Sequence, residues 1–117
     1  MGVNKVILLG NVGSDPKVRY VAEKQPVASF SLATHERAIT RKDGTQVPER
    51  TEWHNIVMWG RDAETAERYV RKGMQLYIEG HLRTRMWEDR NKVQRYVTEI
   101  YVDNFEMLKR AEGGEQA

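Results

Sequence analysis

Only one stretch of this chain repeats at helical spacing. Between Asp62 and Lys72, the residues Ala63, Ala66, Tyr69 and Val70 recur on one helix face. Asp62 is placed to cap the start. Arg71 and Lys72 fall in the last turn, where cations suit the helix dipole, and Gly73 supplies the stop. The other apolar residues lie in segments of period two or in short continuous runs, which are strand patterns. A chain of this kind folds as a sheet carrying one helix.

The first strand is predicted over Val3 to Val12. Val6, Ile7, Leu8 and Leu9 form an apolar run without alternation, which implies burial on both faces. In a small protein the second buried face is a candidate subunit contact, here assigned to Val6 and Leu8. Gly10 and Gly13 interrupt the run and suggest a bulge or bend. Asp15-Pro16 signals a turn, and Lys17 to Val21 continues as a short extended segment. After a loop at Glu23 to Pro26, Val27 to Thr34 alternates cleanly. Ala28, Phe30 and Leu32 share one face; Ser29 and Ser31 share the other, and their small side chains would let a partner approach. His35 to Arg50 is polar, leans basic through Arg37, Arg41 and Lys42, and contains the hairpin-turn signal Asp43-Gly44.

Thr51 to Gly60 is the most aromatic strand. Trp53, Asn55, Val57 and Trp59 fall on one face, and Glu52, His54, Ile56 and Met58 on the other. The two indoles stand roughly 20 Å apart along the strand at ~3.3 Å per residue. Such a platform is either core or a stacking surface for unpaired bases, and taken alone these ten residues favour core. Met74 to Trp87 places Leu76, Ile78, Leu82 and Met86 on one side. Tyr77, Glu79, His81, Arg83, Arg85 and Trp87 lie on the other, with Gly80 positioned to bend the strand. Arg95 to Val102 is a fifth strand, with Arg95, Val97, Glu99 and Tyr101 on one face.

Five strands, with one short helix between the third and fourth, fit an all-β Greek-key barrel of the oligonucleotide-binding kind; an open α+β sheet is the alternative. The 117 residues suffice for one domain, expected over 1–108, with a flexible end over 109–117. Cysteine is absent, so no disulfide or thiolate site is available. No apolar run is long enough to span a membrane, and the N-terminus has no secretory pattern; a cytoplasmic location follows as the expectation. The net charge is only +2, so the distribution of cations matters more than their excess.

That distribution points to single-stranded nucleic acid. Unpaired bases expose faces on which indoles stack, while interleaved Arg and Lys hold phosphates. Trp53, Trp59 and Trp87 beside Arg83 and Arg85 supply both parts. Catalysis is poorly supported: His35, His54 and His81 lie on separate segments without metal spacing, and no set of carboxylates suited to two-metal chemistry is evident. His54, beside Glu52 and opposite the tryptophans, reads as a core or interface residue. Two competing readings are an adaptor barrel that contacts other proteins and a small nuclease on the same fold.

Several blocks carry a resemblance. They are Val3-Asn4-Lys5-Val6-Ile7-Leu8-Leu9-Gly10-Asn11-Val12-Gly13, Asp15-Pro16, Val18-Arg19-Tyr20, Leu32-Ala33-Thr34, and Thr51-Glu52-Trp53-His54. Further along come Tyr69 with Arg71-Lys72-Gly73, Tyr77-Ile78-Glu79-Gly80 with Leu82-Arg83-Thr84-Arg85, and Trp87. In this order, from residue 3 to 108, the chain resembles the bacterial single-stranded DNA-binding proteins. The resemblance implies a cofactor-free, metal-free, non-enzymatic homotetramer, nucleoid-associated, that wraps single-stranded DNA in replication, recombination and repair. It implies stacking by Trp53, Trp59 and Trp87, Trp59 standing where a phenylalanine is commoner. Arg83 and Arg85 match backbone contacts, and Lys5, Arg61, Arg71 and Lys72 match basic positions near DNA. His54 matches a subunit contact.

Two departures accompany the resemblance. A further tryptophan expected near Ala38 or Ile39 is missing, with Arg37, Arg41 and Lys42 expected to compensate in part. The sequence also lacks an acidic partner-recruiting tip after Glu115-Gln116-Ala117, so tail-mediated protein partners are expected to be absent.

Overall fold

Alternating burial, strand by strand, sets the architecture. In the computed structural model, which describes residues 1–110, the strands are β1 (Val6–Val12), β2 (Lys17–Val21), β3 (Gln25–Glu36), β4 (Ile39–Thr40), β5 (Gln46–Val47), β6 (Arg50–Trp59), β7 (Gln75–Glu88) and β8 (Gln94–Lys109). A 3-10 turn at Ala22–Lys24 precedes β3, and α1 (Arg61–Tyr69) lies between β6 and β7. The main sheet runs β1-β7-β8-β6-β3-β2, and β1 also pairs with β3. That last pairing, Asn11↔Ala33 and Val12↔Leu32, closes five strands into a ring. Neighbours are antiparallel except β6 and β8, which run parallel through Ile56↔Ile100 and Val57↔Tyr101. The expected five-stranded oligonucleotide-binding barrel, with its helix between the third and fourth barrel strands, is the fold observed.

The barrel interior takes one residue in two from each strand. Leu32 and Ile56 meet Met58, Leu76 and Ile78, all fully buried, with Val12, Ala28, Phe30 and Ile100 around them. Burying each large aliphatic side chain contributes about 1.5–3 kcal/mol. Helix α1 adds Ala63 and Ala66, followed by Val70 just beyond its last turn. Their small size lets the helix backbone lie close against the barrel.

Four expectations change. First, β1 alternates after all: Val6 and Leu8 pack against the core, while Ile7 and Leu9 stay more than half exposed. An unbroken apolar run hid a period of two, and the outward apolar pair is Ile7 and Leu9, in place of the assigned Val6 and Leu8. Second, α1 begins at Arg61 behind Gly60, whose φ of 63° and ψ of −129° set the entry; Asp62 sits inside the first turn and caps nothing. Third, Tyr69 faces solvent, and the buried helix residues are Ala63 and Ala66, with Val70 just beyond. Fourth, β8 runs through Lys109, so the expected flexible end does not start there; residues 111–117 lie outside the described residues.

Two distant parts of the hairpins agree with the sequence reading. The Asp43-Gly44 turn forms between β4 and β5, with Gly44 at φ 90° and Asp43 accepting from the Thr45 N–H at 2.9 Å. A register shift in β7 falls between Glu79 and Gly80, the glycine placed to bend that strand.

The seam of the barrel depends on Gly10. A Cβ there would stand 2.3 Å from the Ala33 carbonyl oxygen, a contact that backbone cannot evade by rotation. Gly10→Ala is expected to lower stability by about 1–3 kcal/mol in urea denaturation. Gly2→Ala, whose Cβ would meet nothing within 4 Å, is the neutral comparison.

Candidate nucleic-acid interface

The indoles of β6 are outside the barrel. Ile56 and Met58 take the core, whereas Trp53 is 61% exposed and Trp59 41% exposed. Taken alone the strand favours core; with the rest of the chain the indoles are expected outside as stacking residues, and both lie outside the barrel. The cause lies in the partner strands, since Phe30, Leu32 and Ile100 fill the barrel from the opposite direction. His54 shares the inward parity of Ile56 and is half-buried, its Nε2 2.9 Å from the Thr34 hydroxyl.

Register assembles a face around the indoles. Directly opposite residues in adjacent strands share a side of the sheet. Trp53 pairs with Ala33, Asn55 with Ser31, Val57 with Ser29 and Trp59 with Val27. Beyond them Ser29 pairs with Lys17 and Val27 with Arg19. On the other flank Val57 pairs with Tyr101. Tyr101 pairs with His81, Glu99 with Arg83, Val97 with Arg85 and Arg95 with Trp87. One outer face thus carries all three tryptophans, one tyrosine and a set of cations drawn from three strands.

The middle of this face is hollowed. One cavity of about 390 Å³ is lined by Arg19, Ser29, Trp59, Arg85, Glu99 and Tyr101, among others. A second of about 280 Å³ adjoins it through Ser29, Val57 and Glu99 and extends to Ser14, Lys17 and Asn55. The serines leave the depth, as their small side chains suggested. Trp59 lies tilted against Tyr101 with centroids 6.2 Å apart, and the Arg83 guanidinium stands 6.0 Å from the Tyr101 centroid. At the far end of β6, Trp53 rests on Gly13, where a Cβ would fall 2.3 Å from the indole Cζ3.

The remaining candidates separate into groups. Arg83 belongs to the face and makes no ion pair among the described residues. Arg85 is also there, but its Nε and Nη2 donate to the Glu99 carboxylate at 3.0 and 3.3 Å. Glu99 raises the guanidinium pKa further, first by that hydrogen bond and then by its charge. Trp87 is 42% exposed near the end of the β7–β8 hairpin. Arg37, Arg41 and Lys42 are exposed around the β4–β5 hairpin, where a hollow of about 400 Å³ near Ala38 and Ile39 has no aromatic lining.

Other basic candidates have local duties. Arg71 donates to the carbonyls of Glu67, Arg68 and Val70, finishing the C-terminal end of α1. Lys72 has its backbone N–H on Asp15, with an exposed side chain. Arg61 is exposed at the start of α1. Lys5 lies 3.8 Å from Glu79, on the wall where Ile7 and Leu9 pair with Glu79 and Tyr77, away from the tryptophans' strand partners.

Known proteins match this arrangement. The pattern of the single-strand binding protein family covers residues 3–108. The chain belongs to that family. The family consists of non-enzymatic DNA-binding proteins. A single-stranded DNA-binding protein of Bacteroides thetaiotaomicron is 57% identical over 108 residues, covering 92% of this chain and 67% of the relative. The solved Plasmodium falciparum SSB complex with single-stranded DNA superposes with a TM-score of 0.83 at 32% identity, covering 93% of this chain and 97% of that one.

Four residues of the face, Lys17, Arg19, Glu99 and Tyr101, are not among the candidates the sequence of this family member offers. Tyr101 and Glu99 shared the parity of Arg95, which was the available signal. Arg19 had none, since its place follows from β2 pairing with β3.

Two measurements test how the face is held. Gly13→Ala should displace the Trp53 ring and shift its emission while leaving Trp59 and Trp87 unaffected, as read in single-tryptophan variants. At the β7–β8 turn, the Asp89 carboxyl is held below the usual carboxylate range by the Val93 N–H first, then by Arg95 and the Asn91 N–H. A depressed folded pKa stabilises above the unfolded value of about 3.9. That contribution is lost as pH falls through the folded value, so Trp87 should report loosening of the hairpin in strong acid, and Asp89→Asn should abolish this step.

Proposed function

We propose that this protein binds single-stranded DNA without sequence specificity, and protects it in replication, recombination and repair as a homotetramer. The observation that carries the reading is the single sheet face on which Trp53, Trp59 and Trp87 remain exposed among cations. Large exposed indoles are costly in water unless they have a partner, and bases supply one of the right shape. Trp53 and Trp59 stack bases at the two ends of β6, and Trp87 stacks one on the hairpin. Arg83, Arg19 and Lys17 hold phosphates between them, with Arg37, Arg41, Lys42 and Arg61 at the periphery. The likeness to the Plasmodium SSB, solved with single-stranded DNA bound, supports the same ligand.

Among the described residues no helix is free to enter a groove and read base edges, because α1 packs against β2, β3 and β6. Stacking and phosphate contacts carry little sequence information. The homotetramer is supported by family membership and by the apolar outer pair Ile7 and Leu9, flanked by Tyr77. That pair offers a subunit contact together with the half-buried His54.

Titration with a thymine homopolymer, followed by tryptophan fluorescence, tests the reading. Quenching by the single strand and not by a duplex is expected, weakening as salt rises. Trp53→Ala, Trp59→Ala and Trp87→Ala should each cost about 1–3 kcal/mol of binding. Absence of quenching would assign the exposed indoles to protein contacts instead.

A further inference from the structure

An acid in the middle of a face meant for phosphates is out of place. Glu99 is 8% exposed, the one buried charged residue among the described residues, and it lies where the two hollows of the face meet. A carboxylate so enclosed requires a partner, since its desolvation is otherwise uncompensated. Three cations are within its neighbourhood by register or by shared lining: Arg83 directly opposite, Arg19 and Arg85. Only Arg85 takes it, through a two-point contact. Arg83 turns to Tyr101 instead.

We propose that Glu99 is a charge brake on the DNA-binding face: it neutralises Arg85, so that this arginine adds no net charge to phosphate binding. The inference rests on the single-stranded DNA reading above and names a determinant of its strength. The paired groups sum to zero charge, and two of the five guanidinium donors are committed. Phosphates passing over the hollow then meet a neutral patch, flanked by the cations Arg83 and Arg19. A bound strand is held there by stacking on Trp59 and Tyr101 and less by counterion release, which limits both affinity and its salt dependence.

The opposite role is equally definite. If Glu99 instead oriented Arg85 to present its free Nη1 to a phosphate, removing the carboxylate would weaken binding. Glu99→Gln keeps the side-chain shape and separates the two. Thymine homopolymer binding is measured by fluorescence over a tenfold range of sodium chloride, with circular dichroism melting as the folding check. The brake predicts that Glu99→Gln binds more tightly than the wild type. It also predicts a salt slope steeper by about 0.7, so that the tenfold salt change shifts affinity about fivefold more than in the wild type. The double variant Arg85→Gln/Glu99→Gln should return the slope to the wild-type value, whereas Arg83→Gln should make it shallower.

Weaker or unchanged binding by Glu99→Gln overturns the brake, as does a double variant with a slope shallower than the wild type. Should Glu99→Gln alone not fold, the double variant decides, because it places two neutral hydrogen-bonding amides in the same space. A wild type that binds no single strand overturns the functional reading and the brake together. A wild type that binds while Glu99→Gln changes nothing overturns the brake alone.

Discussion

Everything on the candidate nucleic-acid face depends on the closure of the sheet at β1. This strand pairs with β7 along its length and with β3 at its end, and only that second pairing turns a row of strands into a ring. Closure gives the aliphatic residues of five strands one common interior. It also forces every side chain of the other parity outward. The indoles are exposed because the barrel has no room left for them, its interior being filled by Leu32, Ile56, Met58, Leu76 and Ile78. Gly10 is where this constraint is tightest, since two backbones meet there without space for a methyl group.

Closure also explains which parts of the structure were legible in the sequence. Strand positions, the turn at Asp43-Gly44, the bend at Gly80 and the single helix are local matters, and periodicity carries them. The face of each strand that turns inward is not local. Val6 to Leu9 are all aliphatic, so composition could not separate Val6 and Leu8, inside, from Ile7 and Leu9, outside. In β6 both faces held apolar residues, and the assignment depended on which one β3 and β8 would complement. The helix start shows the same limit at small scale: Gly60 adopts a conformation that sets the turn, and Asp62 had the right chemistry just past the place where a cap would act.

The candidate site was legible as a residue class before it was legible as a place. Tryptophans interleaved with cations suggested a surface for unpaired bases and phosphates, and the cations of β7 fall on the same face as the indoles. Pairing between particular side chains was beyond reach, because Arg85 and Glu99 are fourteen positions apart and meet only through the register of β7 on β8. Arg71 shows the converse, a cation whose local duty at a helix end was visible from its position alone.

The parallel contact between β6 and β8 is short, two residue pairs at Ile56 and Val57. On either side of it the β3–β6 and β7–β8 ladders continue as separate antiparallel ribbons. Each ribbon carries its own backbone ladder, and beyond the two-pair contact the Asn55 side-chain amide donates to the Thr98 carbonyl across the gap. Rigidity is therefore graded along a single strand: β6 is anchored where Ile56, Val57 and Met58 are buried and progressively freer toward Arg50. The two ladders project from one closed barrel, and the three tryptophans sit at different distances from the point where they join.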